Sequence, residues 1–394
     1  MTVKLLIFDV LFPTQLGQWR TTEINYFLDH PDFSTDIYIS SYVNINGINI
    51  KQSFEEYYKN YNSLNGYNII IFDPAYNFLN VFNKNFDGTK FNRQSHGSFL
   101  LTKDANVDWK KYDVAYSIFL IVRETNSWLI DLKYWPSLCK IYPGGGFMYN
   151  ENRMRGILTK IHQNNESVIC SHHFIREVID KYNIKNSYTI YGGPLLEENA
   201  NLVRTYESAQ KGKLNVCFTS FSFAPGKGWP LYVQLFKFFK GKFPSHDITF
   251  HVIGPISAGT FSNHKTIFHG FLSPQSMRKI YTEKIDIIVS PLQGNVYESP
   301  NGFPIGGEAM ICGCIPIMCD PHDSNPYFGF DDTDSLIMKT FDLDRIVKFI
   351  LELYDNVDKR VQMSKNILQK SQRLLGTEIQ LKPVENIIKS LVKT

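Results

Sequence analysis

The sequence has no long apolar run, which argues first against a protein with membrane-spanning helices. No run approaches the roughly 20 residues that a membrane-spanning helix needs. The N-terminus passes from Met1–Lys4 into a short apolar run, Leu5–Phe8, which is too short for a signal peptide and has no small-residue cleavage site. We therefore expect a soluble, cytoplasmic protein without a membrane span.

Cysteine and net charge are also low. The chain has 6 cysteines in 394 residues, and only Cys312 and Cys314 lie close together, without the second pair that a zinc site requires. Buried free thiols in a reducing compartment are therefore predicted, with no metal and no bound cofactor. The net charge of +3 gives no reason to expect a nucleic-acid partner.

Motifs of several enzyme classes are missing as well. The sequence has no Gly-x-Ser-x-Gly nucleophile elbow, so it offers no credible Ser/His/Asp triad. The adjacent His172 and His173 would point in different directions, which makes a shared metal a poor interpretation. Asp331–Asp334 resembles an acidic metal-holding motif, but it precedes the apolar run Leu336–Met338, and turn and cap residues are the better interpretation.

Strand-like segments, such as Ile69–Phe72, alternate along the chain with helix-like segments, such as Ser53–Tyr61 and Val384–Leu391, which predicts the α/β class with parallel, doubly wound sheets. The segment Trp128–Leu132 fits either a strand or a buried helix. The length predicts two or three domains. The alternation breaks at Gly192–Pro194, and the polar segment 197–212 that follows is typical of a linker. We predict two Rossmann-like domains facing across a cleft, over residues 1–192 and 193–365, with C-terminal helices over 366–394 that pack back toward the first domain. The cleft is the expected ligand site.

The stretch Ser290–Pro316 is the strongest candidate site. It follows a predicted buried strand, Ile285–Val289, and runs through a long loop into a short helix before the next predicted strand, Ile315–Cys319. Ligands bind at such a place in parallel sheets, and a helix N-terminus there favours phosphate. Glu308 is expected at that terminus, where a carboxylate suits sugar hydroxyls. Three glycines would let backbone N–H groups approach the ligand closely: Gly302, Gly306 and Gly307.

A second candidate is Pro225–Gly228, which lies between a predicted strand, Leu214–Phe221, and a predicted helix, Leu231–Phe239. Lys227, flanked by two glycines, can reach a phosphate from that position. The segment is not a Walker A loop, because the preceding glycine and the following Ser/Thr are missing. A solvated turn lysine is the alternative, and these residues alone leave both open.

The second half of the chain resembles the retaining glycosyltransferases of family 4, which have the GT-B fold. The likeness covers about Leu214–Asn356, and its general character suggests a virus-encoded member. Three blocks match in order: Phe218–Gly228, then Val252–Gly254 with Phe268–Phe271 and Ser273–Pro274, then Gly302–Pro304, Glu308–Met310 and Gly313–Pro316.

The resemblance implies roles for individual residues. Glu308 would bind the ribose hydroxyls, and Lys227 would neutralise the diphosphate leaving group; these two are the implied catalytic residues. The loop Phe268–Phe271 would hold the base, and the backbone of Asn301–Ile305 would hold sugar and phosphate. The implied donor-binding residues are Gly17, Ser222, His269, Gly270, Phe271, Glu298, Asn301, Gly302, Phe303, Pro304 and Ile305.

The sequence departs from the family pattern at three places. The family usually has a second glutamate eight residues before the position of Glu308, where this chain has Pro300; Glu298 and Asn301 are the candidate substitutes. The family's arginine shortly before Lys-Gly is replaced near Ser222. Its N-terminal histidine has no clear counterpart.

The resemblance therefore implies a metal-independent hexosyltransferase. It would move a sugar with retained configuration from a nucleotide-sugar, GDP-mannose slightly ahead of a UDP-sugar, to a hydroxyl of a glycan or glycoprotein. The alternatives are a GT-B epimerase or an inverting transferase, or a nucleotide-sugar-binding protein without turnover. A homodimer is left open.

Overall fold

The structure is a computed structural model that divides into two compact units, Met1–Pro194 with Gln380–Thr394, and Leu195–Ile379. Helices and strands are numbered below in chain order through the described residues. These are residues 2–9, 18–40, 69–72, 99–102, 111–118, 137–141, 151–163, 165–171, 173–190, 204–206, 209–220, 227–254, 265–272, 274–291, 303–320 and 329–392.

An eight-stranded parallel sheet forms the first unit. Its strands are β1 (Val3–Asp9), β2 (Phe33–Ser40), β3 (Ile69–Phe72), β4 (Phe99–Thr102), β5 (Val114–Ser117), β6 (Ser137–Ile141), β7 (Ser167–Cys170) and β8 (Ser187–Thr189). They lie in the order β4-β3-β2-β1-β5-β6-β7-β8. Its described helices are α1 (Gln18–Asp29), α2 (Glu151–Gln163), α3 (His173–Lys181) and, from Gln380 onward, α9 (Thr377–Leu391).

The core of this unit forms where apolar helix faces cover the central strand. Successive side chains of β1, from Leu5 to Ile7, are fully buried, as expected for a parallel strand covered on both faces. One cluster joins Leu5 and Ile7 to apolar residues of α1 and of the C-terminal helix α9: Ile24, Phe27, Leu28, Leu381, Val384 and Ile388.

A buried ion pair joins α1 to the sheet. The Nζ of Lys140 on β6 lies 2.9 Å from Oε2 of Glu23 on α1, and both side chains are fully buried. The hydroxyl of Tyr116 on β5 donates a short hydrogen bond to the same carboxylate. Neither charge reaches water, so each depends on the partner that it meets inside the protein.

Removing one member of this pair should be costly. Glu23→Ala would remove the carboxylate that pairs with the buried Lys140 ammonium, which should lower the free energy of unfolding by about 3–5 kcal/mol. Urea denaturation measures this value. The control is Lys111→Ala, which breaks the partly exposed 2.9 Å pair with Asp36 and should cost about 1 kcal/mol or less. Equal losses in the two variants would show that the buried pair contributes no more to the free energy of unfolding than the partly exposed pair.

The second unit is built on a six-stranded parallel sheet. Its strands are β9 (Lys213–Thr219), β10 (Asp247–Ile253), β11 (Thr266–Gly270), β12 (Ile287–Ser290), β13 (Ile315–Cys319) and β14 (Leu336–Met338). They lie in the order β11-β10-β9-β12-β13-β14, which is the 3-2-1-4-5-6 order of a Rossmann sheet. Its helices in the described residues are α4 (Trp229–Lys242), α5 (Pro274–Glu283), α6 (Phe303–Met310), α7 (Leu343–Asp355) and α8 (Val357–Leu375).

Side-chain caps and apolar faces explain where the later helices lie. Asp342 accepts a hydrogen bond from the N–H of Arg345 at the start of α7, and Asn356 accepts one from Lys359 at the start of α8. The buried face of α7 consists of Ile346, Val347, Phe349, Ile350 and Leu353, at helical spacing.

The predicted α/β class with two parallel, doubly wound sheets is confirmed. The strands predicted at Ile69–Phe72 and Ile315–Cys319 have the observed bounds. Strand β4 was not predicted, and the last helix begins at Thr377 rather than at Val384. The helix predicted at 53–61 and the segment at 128–132 lie outside the described residues, and the domain boundaries stay a prediction. Among the described helices, none combines the length and hydrophobicity of a membrane-spanning segment.

Candidate functional site

The strand order of the second sheet reverses between β9 and β12. These strands are neighbours, with Ile287 opposite Val216, while the chain after β9 leads away to β10 on the other side. A reversal of this kind opens a crevice at the carboxyl ends of the two strands, where ligands bind in such sheets. Lys227 follows β9 and the stretch Ser290–Pro316 begins at the end of β12, so both predicted motifs start at this crevice.

A close backbone contact holds the two motifs together. Gly228 has a φ of 78°, and a Cβ added there would lie 2.0 Å from the carbonyl oxygen of Pro291. The left-handed conformation and the lack of space both require glycine. Gly228 therefore packs directly against Pro291, the first residue after β12. Lys227, which is partly buried, immediately precedes this contact.

Helix α6 begins earlier than predicted, which corrects the position of Glu308. The helix starts at Phe303, so Phe303–Gly307 is helical rather than loop, and Glu308 lies in the second turn rather than at the N-terminus. Pro304 was predicted to lie in the loop, but it suits the first turn of a helix because its nitrogen needs no hydrogen-bond partner there.

The N-terminus of α6 therefore coincides with the segment predicted to hold sugar and phosphate. The first-turn N–H groups of a helix have no partner within the helix. In α6 they belong to Phe303, Ile305 and Gly306, since Pro304 has no N–H. A helix terminus of this kind suits an anion, and it follows β12 along the chain.

The Cys-Gly-Cys spacing is the C-terminal turn of this helix. Gly313 has a φ of 80°, and its N–H donates to the carbonyl of Met310 at 2.9 Å. The N–H of Cys314 donates to the carbonyl of Ala309 at 3.1 Å, which completes a Schellman motif. All six cysteines are free and buried, and burial raises the pKa of Cys312 to about 11, so it is an inert thiol rather than a nucleophile.

The carboxyl group of Glu308 lies in a poorly solvated environment although its side chain is partly exposed. Burial raises its pKa from 4.5 to about 7, against the opposing effect of the Arg278 guanidinium. Arg278 is buried on α5. Near neutral pH this carboxyl group is therefore partly protonated. A ligand with hydroxyl donors would favour its ionised form.

A bulge turns the end of β11 toward the neighbouring strand. Val252 pairs with Phe268, but Ile253 pairs with Gly270, so His269 is an extra residue in the ladder. Gly270 has a φ of 66°, and Phe271 beyond it is 62% exposed. The imidazole of His269 lies parallel to that of buried His251, with Nε2 of His269 and Nδ1 of His251 3.0 Å apart.

Several predicted site residues lie outside the described residues. They are Gly17, Ser222, Glu298, Asn301 and Gly302, together with Pro300 and His172. The backbones of Phe303, Pro304 and Ile305 are described as the first turn of α6, and His173 begins α3. The roles of all the predicted site residues stay proposals.

Two acidic groups are explained by cations of the chain. Asp331 accepts hydrogen bonds from the N–H and hydroxyl of Thr333, as a turn residue does. Asp334 pairs with Lys370. His30, Asp32 and Glu385 lie close enough to hold a metal ion. The ammonium of Lys389 contacts both carboxylates there, 2.7 Å from Glu385 Oε1, and so already supplies the positive charge.

Sequence reasoning missed two residues near this site, Arg278 and His251. The signal for His251 was a single histidine inside the apolar strand Asp247–Ile253, where a polar side chain needs a partner. Arg278 gave no signal, because an arginine on an amphipathic helix is usually exposed.

Comparison with solved structures shows that the chain has the GT-B fold, as the resemblance in its sequence implied. The Anabaena protein HepE, crystallised with UDP and glucose, superposes with a TM-score of 0.67 at 11% identity, over 98% of this chain and 100% of that one. TarM gives 0.68 at 13% identity, over 98% and 99%. Sucrose-phosphate synthase from Thermosynechococcus elongatus gives 0.64 at 12% identity, over 99% of each.

The sequence itself has diverged far. No protein-family model matches it, and no curated protein matches it at a significant level. The likeness is therefore one of fold, and activity has to be argued from the residues of the site.

The contact at Gly228 predicts a strong effect of one methyl group. Gly228→Ala would add strain at φ 78° and a collision with Pro291, and should lower the free energy of unfolding by at least about 1–3 kcal/mol. Gly241→Ala in the same helix α4 meets no atom within 4 Å and should be neutral or stabilising by up to about 1 kcal/mol. Thermal or chemical denaturation of both variants measures the difference. A harmless Gly228→Ala would disprove the contact.

The raised pKa of Glu308 predicts a pH dependence of stability. Between pH 4.5 and about 7 the folded state binds a proton at Glu308 that the unfolded state has lost, so this group lowers stability as pH rises through that window. Glu308→Gln removes the effect, and its stability relative to the unsubstituted protein should therefore increase across the window and level off above it. Glu283→Gln, at an exposed position of α5, should show no such trend. A flat difference for Glu308→Gln would contradict the raised pKa.

Proposed function

We propose that this protein is a retaining glycosyltransferase that moves a hexose from a nucleotide-sugar to a hydroxyl of a glycan or glycoprotein. The single observation that carries the proposal is the close contact of Gly228 with Pro291 at the β9/β12 reversal, which places the backbone next to Lys227 at the crevice. The GT-B fold supports it, as does the presence of UDP in the crystallised HepE.

The diphosphate would be bound by two different sources of positive potential. Lys227 supplies a full charge from the end of β9, and the first turn of α6 supplies N–H groups and the positive end of its dipole. The backbone next to Lys227 is held in place, because Gly228 packs closely against the carbonyl of Pro291. Such preorganised charge stabilises a leaving group whose negative charge develops in the transition state.

The nucleoside would extend along the carboxyl edge of the same sheet. Glu308, on the second turn of α6, would accept hydrogen bonds from the ribose hydroxyls. The loop Phe268–Phe271 would hold the base two strands away from β9, a distance of about 10 Å at the usual strand spacing. A nucleoside diphosphate in an extended conformation spans a comparable length.

Catalysis would then need no protein nucleophile. The acceptor hydroxyl would attack from the face that the diphosphate leaves, and its proton would pass to a departing phosphate oxygen, so the configuration is retained. The residues of the crevice favour this route by stabilising the leaving group rather than by forming a bond to the sugar. A metal ion has no part in the proposal.

Both UDP-sugars and GDP-mannose remain candidate donors. The sequence favours GDP-mannose slightly through its family resemblance, whereas HepE was crystallised with UDP-glucose. Calorimetry against a panel of nucleotide-sugars should identify at least one that binds. Binding of none would remove the proposal, and NMR of the anomeric proton of the product separates retention from inversion and from epimerisation.

The role of Lys227 predicts a loss of turnover on its removal. Lys227→Ala should lower kcat by about 100-fold to 1,000-fold, as the loss of one charge-stabilising donor does elsewhere. Lys240→Ala, at an exposed position of the adjoining helix α4, should transfer normally. Transfer and donor hydrolysis assays provide the measurement, and near-normal turnover by Lys227→Ala would remove the residue from the mechanism.

A further inference from the structure

A chain of side-chain hydrogen bonds runs across one face of the second sheet to the loop at the end of β11. It begins at Asp286, just before β12, passes through Asn215 on β9 and His251 on β10, and ends at His269. The distances between successive members are 3.4 Å, 3.2 Å and 3.0 Å. The four residues come from four separate segments, so only the folded sheet brings them together.

Asp286 fixes the orientation of the amide of Asn215. Its Oδ2 atom accepts from the backbone N–H of Asn215 at 2.9 Å and from the side-chain Nδ2 at 3.4 Å. A flipped amide would place an oxygen against the carboxylate oxygen that already accepts from the Asn215 N–H, while Arg204 and Arg360 lie 3.5 Å and 3.9 Å from the other oxygen, Oδ1. The Oδ1 atom of Asn215 therefore faces His251 and can only accept.

The orientation of Asn215 determines the protonation of both imidazoles. Nε2 of His251 must carry the proton that Asn215 accepts, so its Nδ1 is an acceptor when the ring is neutral. Burial lowers the pKa of His251 to about 4, and burial likewise lowers the pKa of His269, with the positive charge of Lys284 acting on both in the same direction. His269 must then donate from Nε2, and its Nδ1 atom keeps a lone pair.

That lone pair faces away from the buried face of the sheet. The two nitrogens of an imidazole point in widely different directions, and Nε2 of His269 is directed at buried His251. The ring of His269 is partly exposed, and exposed Phe271 follows two residues later. The end of β11 thus offers an in-plane acceptor, with an exposed aromatic residue two positions further along the chain, and both suit a planar, nitrogen-containing ring.

We infer that His269 identifies the base of the donor, by accepting at Nδ1 a hydrogen bond from a ring N–H, and that Asn215 and His251 are positioning residues for this contact. The inference rests on the proposed function. Uracil and guanine carry a proton on the ring nitrogen at which cytosine and adenine, bound in the same pose, carry a lone pair. Two facing lone pairs repel, so the site should select UDP over CDP or GDP over ADP.

The protonation pattern can be measured without any ligand. In the full-length protein labelled with ¹⁵N-histidine, long-range ¹H–¹⁵N correlation spectra distinguish the two neutral tautomers. Signals of His269 and His251 are assigned by their loss in His269→Leu and His251→Leu. Both residues should be neutral with the proton on Nε2. In Asn215→Leu the tautomer of His251 should no longer be fixed, whereas Asn366→Leu, at a partly exposed position of α8, should change nothing. A proton on Nδ1 of His269 in the unsubstituted protein would overturn the inference.

Selection among bases is tested by calorimetry with UDP, CDP, GDP and ADP. The preferred lactam nucleotide should bind at least about tenfold more tightly than its partner, and His269→Leu should reduce that ratio by about tenfold, the usual effect of one hydrogen bond in a recognition site. His246→Leu, at the opposite end of β10, should keep the ratio. Methylation of the ring N–H should weaken binding to the unsubstituted protein and leave binding to His269→Leu little changed.

The outcomes separate the two proposals. If nucleotides bind but without preference, or if His269→Leu weakens all four equally, base selection by His269 is wrong and the transferase proposal stands. If no nucleotide binds, both proposals fail, whatever the tautomers are. Circular dichroism of each variant shows whether it is folded, and the conservative His269→Gln, which can still accept through its amide oxygen, should restore part of the selectivity.

Discussion

The contact between Gly228 and Pro291 is the constraint on which the candidate site depends. It lies where the strand order reverses, and it leaves no room for a side chain between the two segments. Lys227 is partly buried next to this contact, and its role in binding phosphate stays a proposal. Its backbone is fixed at the start of α4, in the crevice from which the chain after β12 leads to α6.

The groups that follow the carboxyl ends of the strands of the second sheet include both charged and neutral ones. The carboxyl edge carries a lysine and a helix terminus, both suited to an anion, whereas the one carboxyl group of α6 is held partly protonated near neutral pH. The polar chain from Asp286 to His269 gives the far end of that edge an acceptor without adding a charge.

Sequence reasoning succeeded where a local rule also governs the fold. Alternating apolar runs gave the two parallel sheets, and Gly313 predicted the end of α6 because only glycine adopts its conformation without strain. It failed where a tertiary contact overrides the local rule. Gly306 and Gly307 argued for a loop, yet packing against the sheet holds them in a helix, and Glu308 moved with that helix from the first turn to the second. The partnership of His251, Asn215 and Asp286 spans three strands and could not be inferred from spacing, nor could the close approach of Gly228 to a residue 63 positions later.

The central claim is that the crevice at β9 and β12 binds the diphosphate of a nucleotide-sugar. Hydrogen-exchange mass spectrometry with saturating UDP-glucose, and separately with GDP-mannose, tests it most directly, since it maps binding without assuming turnover. The account predicts that the donor that binds will slow exchange in peptides covering Lys227–Pro230, Phe303–Gly306 and Phe268–Phe271, and little elsewhere in the second unit. Binding that leaves these three segments unprotected, or that protects the opposite edge of the sheet around Asp286, would contradict it.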